Sequence, residues 1–253
     1  MKSIIFAGRV GKEIRRDPLS YIFCLGFPIV MLAVMSILDS SIPKEANMTV
    51  FHIYNLAPGI SYFGLTFLML FTSIQVSKDR TTALLLRLYA SPMKAVDYVV
   101  GYTLPACVLG IAQMVIFFVV AFIVGLIQGY TFSIPEILFS ILLMIPSMLM
   151  FVGTGILFGT AVNEKAAPGL GSIIISVSGM LGGIWMDIDG IGGTLKKIAE
   201  ALPFYHGVTL ARQPFGDSFE GMPVHLLWTL GFGIVIYVLA VIVFTSKMKK
   251  DVK

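Results

Sequence analysis

Six stretches of the chain stay apolar long enough to cross a bilayer, which takes about 20 residues in a helix. They run over 19–38, 56–76, 99–127, 137–162, 168–186 and 224–246. No charged residue lies well inside any of them; Gln113 and Asn163 are the most polar intrusions. Pro28, Pro105 and Pro146 fall within spans. There they are expected to kink helices rather than end them, because neighbouring helices re-satisfy the freed carbonyls.

The first 18 residues follow a different rhythm. Phe6, Val10 and Ile14 recur every fourth position, on one helical face, while Lys2, Arg9, Lys12 and Arg16 fall largely elsewhere. The pattern predicts an amphipathic helix in the headgroup layer, apolar side down and basic side toward anionic lipid. The alternative is a basic leader that only sets topology. Asp17-Pro18 then breaks the helix, since a residue before proline avoids the helical region. The apolar run that follows ends in Leu38-Asp39-Ser40-Ser41 without a small-x-small cleavage site, so it reads as a retained span and not a signal peptide.

Composition agrees with a membrane class. Of the 253 residues, 57% are hydrophobic and 13% charged, against roughly 45–50% and 25% in soluble domains. Mean hydropathy is +0.91. A soluble enzyme, a disordered chain and a nucleic-acid binder are all excluded by that balance. The net charge of +4 matters less than its placement. Fourteen of the 18 Lys and Arg residues sit in the N-terminal segment, the second and fourth connections and the C-terminal tail. The positive-inside rule then puts both termini in the cytoplasm.

Several chemistries have no residues to carry them. The chain contains no Gly-x-x-x-x-Gly-Lys-Ser/Thr loop and no His-Glu-x-x-His. Cys24 and Cys107 both lie in apolar stretches, which gives no disulfide framework. His52, His206 and His225 lie outside the spans or at their rims, and Asp187 with Asp189 lacks a third ligand at a sensible spacing. Proton- or sodium-driven carriers need ionisable groups at membrane depth, and the spans offer none. The longest connection, 187–223, is shorter than the about 50 residues of a small soluble domain. Gly155-x-x-x-Gly159 and Gly179-x-x-x-Gly183 are small-residue pairs that let helices approach closely, more readily within the chain than between copies.

The second connection is the most informative. It reads Ser77-Lys78-Asp79-Arg80-Thr81-Thr82, then Ala83 and the apolar run Leu84-Leu85-Leu86 through Arg87 to Leu88, and stops at Ser91-Pro92. Apolar residues rimmed by charge mark a docking surface; the alternative is a helix lying flat in the interface. Asp79, Arg80, Thr82, Arg87, Leu88, Ser91, Pro92, Tyr98 and Gly101 together resemble the type-2 ABC exporter permeases. Thr81 departs from the Gly that family often has there. The resemblance extends to the amphipathic N-terminal helix, the six spans and a segment after the fifth span: Leu181-Gly182-Gly183-Ile184-Trp185, a helix over 195–202, Pro203-Phe204 and Leu210-Ala211-Arg212. Asp187-Ile188-Asp189-Gly190 stands where the family often has prolines.

The resemblance implies an all-α membrane protein, a single transmembrane permease domain over 1–253. It would have six transmembrane helices, an interfacial helix carrying Phe6, Val10 and Ile14, and a cytoplasmic coupling helix between spans two and three. An external re-entrant segment would include Leu195, Ile198, Leu202 and Pro203. The coupling residues would be Asp79, Arg80, Thr82, Leu84, Arg87, Leu88, Ser91 and Pro92. Glu164 and Lys165, in the turn after span four, would be a second ATPase contact or a plain polar turn. The implied function is the permease subunit of an ATP-driven exporter that moves an apolar or amphipathic substrate out of the cytoplasm. No catalytic residue, metal or cofactor is expected in this chain; ATP and Mg would belong to a separate ABC-type ATPase subunit. The other partners would be a second copy or a related permease, and the lipid of the plasma (inner) membrane, with no nucleic acid. The competing readings are an ATP-independent channel or carrier, an intramembrane enzyme, and a membrane scaffold.

Overall fold

A computed structural model describes residues 2–42, 49–81, 93–216 and 218–251. Among them every regular element is helical. Helix α1 spans Lys2–Arg15. The Asp17 carboxylate caps the next helix, accepting from Leu19 N at 3.2 Å and from the Ser20 hydroxyl at 2.6 Å. Pro18 takes the first-turn position, where its missing N–H leaves nothing unpaired. Helix α2, Pro18–Ser41, widens into a π-turn over Ile22–Gly26 just before Pro28. Proline blocks the regular hydrogen bond one turn back, and the widened turn absorbs that mismatch.

Helix α3, Ile53–Thr81, is the buried centre of the bundle. Helices α4, Ala95–Ile127, and α5, Ile134–Ala161, pack on it, as does α6, Ala167–Leu181. Close approach of α5 to α3 rests on two glycines. A Cβ on Gly155 would stand 2.5 Å from the Met69 carbonyl oxygen, and one on Gly159 would stand 2.5 Å from that of Ser73. That small-residue pair therefore packs within the chain. In the second pair, Gly179 lies against Trp185, but Gly183 has φ +74° and serves as a turn. The last helix, α10, spans Met222–Asp251 and packs mainly on α5. Val108, Val119 and Ile123 on α4, and Leu227, Ile234 and Ile242 on α10, stay exposed. Apolar side chains in such rows are what a lipid environment covers.

Two expectations need correction. The fifth apolar stretch does not continue as helix to 186. Helix α6 has 15 residues, a rise of about 22 Å, short of the roughly 30 Å hydrocarbon core. Gly182 and Gly183 end it, and the chain turns back with Ile184 fully buried. Among the described residues, five helices are therefore long and apolar enough to cross a bilayer, and α6 is a shorter apolar helix beside them. The second correction concerns α1. Its Phe6 and Val10 do not face lipid; they are buried against α4. Phe6 packs edge-on between Tyr98 and Tyr102, over Gly101, where a Cβ would stand 2.4 Å from the Phe6 ring. Ile14 is partly buried on the same core, while Ile4 and Ile5 form the exposed apolar edge. A complementary protein groove outcompetes lipid for a stripe of that shape, because close packing adds dispersion contacts that fluid chains do not match.

Beyond α6 the chain folds into three short helices: α7, Ile188–Ile191; α8, Gly193–Glu200; and α9, Pro203–Arg212. Helix α9 is inserted among α3, α5 and α10, with Phe204, His206, Val208 and Leu210 buried. Helix α8 lies outside it, Leu195 half-buried, Ile198 exposed and Ala199 inward.

Candidate functional site

At one end of the bundle α1, the end of α3, the start of α4 and the α5–α6 turn converge on a network of charged side chains. Asp79, in the last turn of α3, is only 4% exposed. A buried carboxylate needs charge or hydrogen-bond partners to remain in place. The Tyr102 hydroxyl from α4 donates to Asp79 Oδ2 at 2.7 Å, and Arg9 from α1 reaches Oδ1 at 3.5 Å. Arg9 also pairs with Glu13 one turn along α1. Glu13 in turn accepts from the Gln75 amide of α3 at 2.6 Å. Three helices are thus locked together at the level where α3 leaves the bundle.

The neighbouring Arg80 points the other way. Its guanidinium donates to the carbonyls of Gly159, at 3.3 Å, Thr160, and Val162, at 3.2 Å. Those are among the last carbonyls of α5, which have no partner inside their own helix. A cation at a helix C-terminus also meets the negative end of the macrodipole, worth about 0.3–1 kcal/mol where exposed and more when partly buried. Consecutive residues on α3 therefore bind opposite sides of the bundle, Asp79 to α1 and α4, Arg80 to α5. The α4 end is fixed in turn: Asp97 accepts from Lys94 N at 2.9 Å and from the Ser3 hydroxyl of α1 at 2.7 Å.

Of the residues expected to contact an ATPase, Asp79 and Arg80 form this network. Thr82, Leu84, Arg87, Leu88, Ser91 and Pro92 lie outside the described residues. Glu164 and Lys165 are exposed in the α5–α6 turn, beside the carbonyls that Arg80 holds, and Asn163 Oδ1 caps that turn through Ala166 N at 2.9 Å. Arg9, Glu13, Gln75 and Tyr102 were not separable by sequence as partners of Asp79. The one signal was Gln75, a polar residue on the buried helix, whose partner lies 62 positions away.

The opposite end carries a second polar group. Arg212, at the end of α9, donates through Nε to the Asn55 carbonyl at 3.0 Å and through Nη1 to the Gly183 carbonyl at 2.9 Å. Burial pushes its pKa down to about 10, partly offset by Asp187 and Asp189, so it stays cationic at neutral pH. A cleft of about 370 Å³ opens there, lined by Asn55, Asp187, Tyr205, Arg212 and Glu220 among others. Asp187 caps α7, accepting from Gly190 N at 3.0 Å. Asp189 pairs with Lys196 Nζ and the Tyr205 hydroxyl, each at 2.8 Å. Burial alone would raise the Asp189 pKa, but these two donors outweigh it and hold it below the ordinary value. Among the described residues, no group of three or more His, Cys, Asp or Glu is placed to hold a metal ion. Of the expected re-entrant residues, Pro203 starts the buried α9 and Leu202 is its N-cap; Leu195 and Ile198 ride on the outer α8.

Comparison with known proteins agrees with this layout. The family model described as ABC-2 type transporter matches residues 4–215, from α1 through α9 and ending before α10. No curated protein matches the chain. With most of its length covered by that match, the chain belongs to the ABC-2 type transporter family and is a multi-pass transmembrane permease component.

Proposed function

We propose that this chain is the permease subunit of an ATP-driven exporter. In this reading a separate ABC-type ATPase binds ATP and Mg, and docks on the charged end of the bundle. That end faces the cytoplasm, as the distribution of Lys and Arg argues, and the membrane is the plasma (inner) membrane. Two copies, or one copy and a related permease, form the pathway. The cargo is apolar or amphipathic, in keeping with spans that carry no charge at depth.

The observation that supports this reading best is the pair Asp79–Arg80. Residue 81 begins the connection toward 82–92, and Arg80 holds the carbonyls that precede the Glu164–Lys165 turn. A force applied to either connection would reach both α3 and α5 through one guanidinium. Through Asp79 it would reach α1 and α4 as well. Such a crossing of bonds suits a subunit driven from outside its own chain. Leu84 and Leu88 supply the apolar contact, Arg87 its charged rim, and Ser91-Pro92 its end.

Recovery of the tagged chain from native membranes in mild detergent, with partners identified by mass, tests the reading. The expected result is a stoichiometric ABC-type ATPase, lost with Leu88→Asp while the permease still inserts. A well-folded permease without an ATPase partner, or one retained in full by Leu88→Asp, overturns it.

A further inference from the structure

The two buried-side histidines of the outer end take no part in the network described above. His206 on α9 is 4% exposed, and its Nδ1 lies 2.7 Å from Nδ1 of His225 on α10. Its other ring nitrogen, Nε2, lies 2.8 Å from the Glu200 carbonyl at the end of α8. Its ring stacks on Trp228 of α10, centroids 5.0 Å apart and planes 12° apart.

The stereochemistry fixes the protons. A carbonyl only accepts, so His206 Nε2 carries a hydrogen and, in the neutral ring, Nδ1 is bare. The short contact then requires His225 Nδ1–H to donate to it. A first added proton enters at His225 Nε2 and leaves that bond intact. A second has only His206 Nδ1 left, and two N–H groups would then face each other across 2.7 Å, one positive ring against another.

We propose that His206 and His225 are positioning residues of the transport cycle: their N–H···N bond holds α9 against α10, and full protonation of the pair releases it. Helix α9 keeps its other anchor, Arg212 on the Asn55 and Gly183 carbonyls. Release therefore swings the His206 end while the Arg212 end stays, which widens the space between α9 and α10. That this space is the exit of a transport path rests on the function proposed above; the clasp itself does not.

The surroundings set the direction of the effect. Asp189 and Glu200 face the pair from α7 and α8, and Lys196 lies between those two carboxylates. Tyr205 neighbours both rings on α9, and Arg212 ends that helix. Glu136 at the start of α5 is engaged in its own cap, accepting from Ser133 N, and α3 brings the Tyr62 phenol close to Gly207 of α9. Burial holds the His206 pKa below its ordinary value, against the opposing pull of Glu200. A base depressed in the folded state favours folding above its unfolded pKa of about 6.5 and loses that contribution as pH falls through the folded value. The clasp is thus closed at neutral pH and opens on acidification.

Hydrogen exchange on the full chain in lipid nanodiscs, read by mass at about pH 7.5 and about pH 5 after correction for intrinsic rates, tests this without a cargo or an ATPase. We expect 203–212 to lose protection by about tenfold at the lower pH, with α3 unchanged. His225→Asn places an amide N–H where Nδ1–H stood, and its carbonyl can turn to a protonated His206, so protection should be high at both pH values. With Trp185→Phe, Trp228 becomes the sole indole, and its emission should change along the same titration in the wild-type pair as the His206 ring leaves its face. Equal protection of 203–212 at both pH values, loss shared by α3, or the same loss in His225→Asn each overturns the clasp. A failed clasp with an intact ATPase complex leaves the function standing; a working clasp without an ATPase does the reverse.

Discussion

Gly155 and Gly231 are both helical glycines in spans, yet they are not equivalent. A Cβ on Gly155 would stand 2.5 Å from a backbone oxygen of α3, while one on Gly231 meets nothing within 4 Å. Gly155→Leu should destabilise the bundle by about 1–3 kcal/mol or more through overpacking against backbone that cannot yield. Gly231→Ala should be neutral or stabilising by up to about 1 kcal/mol, the helix-propensity difference. Thermal unfolding in detergent, followed by circular dichroism, checks both; equal effects would remove the packing argument. The Gly155-x-x-x-Gly159 spacing was readable in the chain. Gly231 and Gly233 showed only that α10 has small residues too, and nothing in their spacing said that Gly231 faces open space.

At the scale of elements, α1 shows what periodicity delivers and what it withholds. The four-residue repeat of Phe6, Val10 and Ile14 specifies a helix with one apolar face, and α1 is that helix. Which partner covers the face depends on a groove built 95 residues later by Gly101 between Tyr98 and Tyr102. Phe6→Ala should cost about 3–5 kcal/mol, as a buried aromatic does, and should loosen α1 from α4. The readout is a drop in unfolding temperature together with faster exchange of the α1 amides; an unchanged α1 would mean lipid holds it. The same limit explains α6. A run of apolar residues past 181 reads as span, but the glycines at 182 and 183 admit a left-handed turn, φ +74° at Gly183. Composition alone does not place the residue at which such a helix ends.

For the molecule as a whole, the charged end with Asp79 and Arg80 and the end with Arg212 and the histidines lie at opposite ends of the bundle, because α3 runs from Asn55 to Arg80 between them. If the charged end is cytoplasmic, a cysteine at Lys78, which is exposed, should react only with reagent supplied inside. One at Ser133, before α5, should react only from outside. The reverse pattern in membrane vesicles would invert the orientation, and labelling of both from one side would break the topology. The hydrophobic run lengths, the sparse charge and the placement of Lys and Arg by themselves determined the membrane class and the helical architecture, while the residues from Asp79 to Gly101 carried the family resemblance. These are one-dimensional properties, fixed by how much apolar length a bilayer demands. Only the tertiary structure decided that α1 serves α4, that Arg80 closes the end of α5, and that His206 meets His225. Each of those joins residues far apart in the chain, and their pairing depends on distances of a few ångströms that no local pattern encodes.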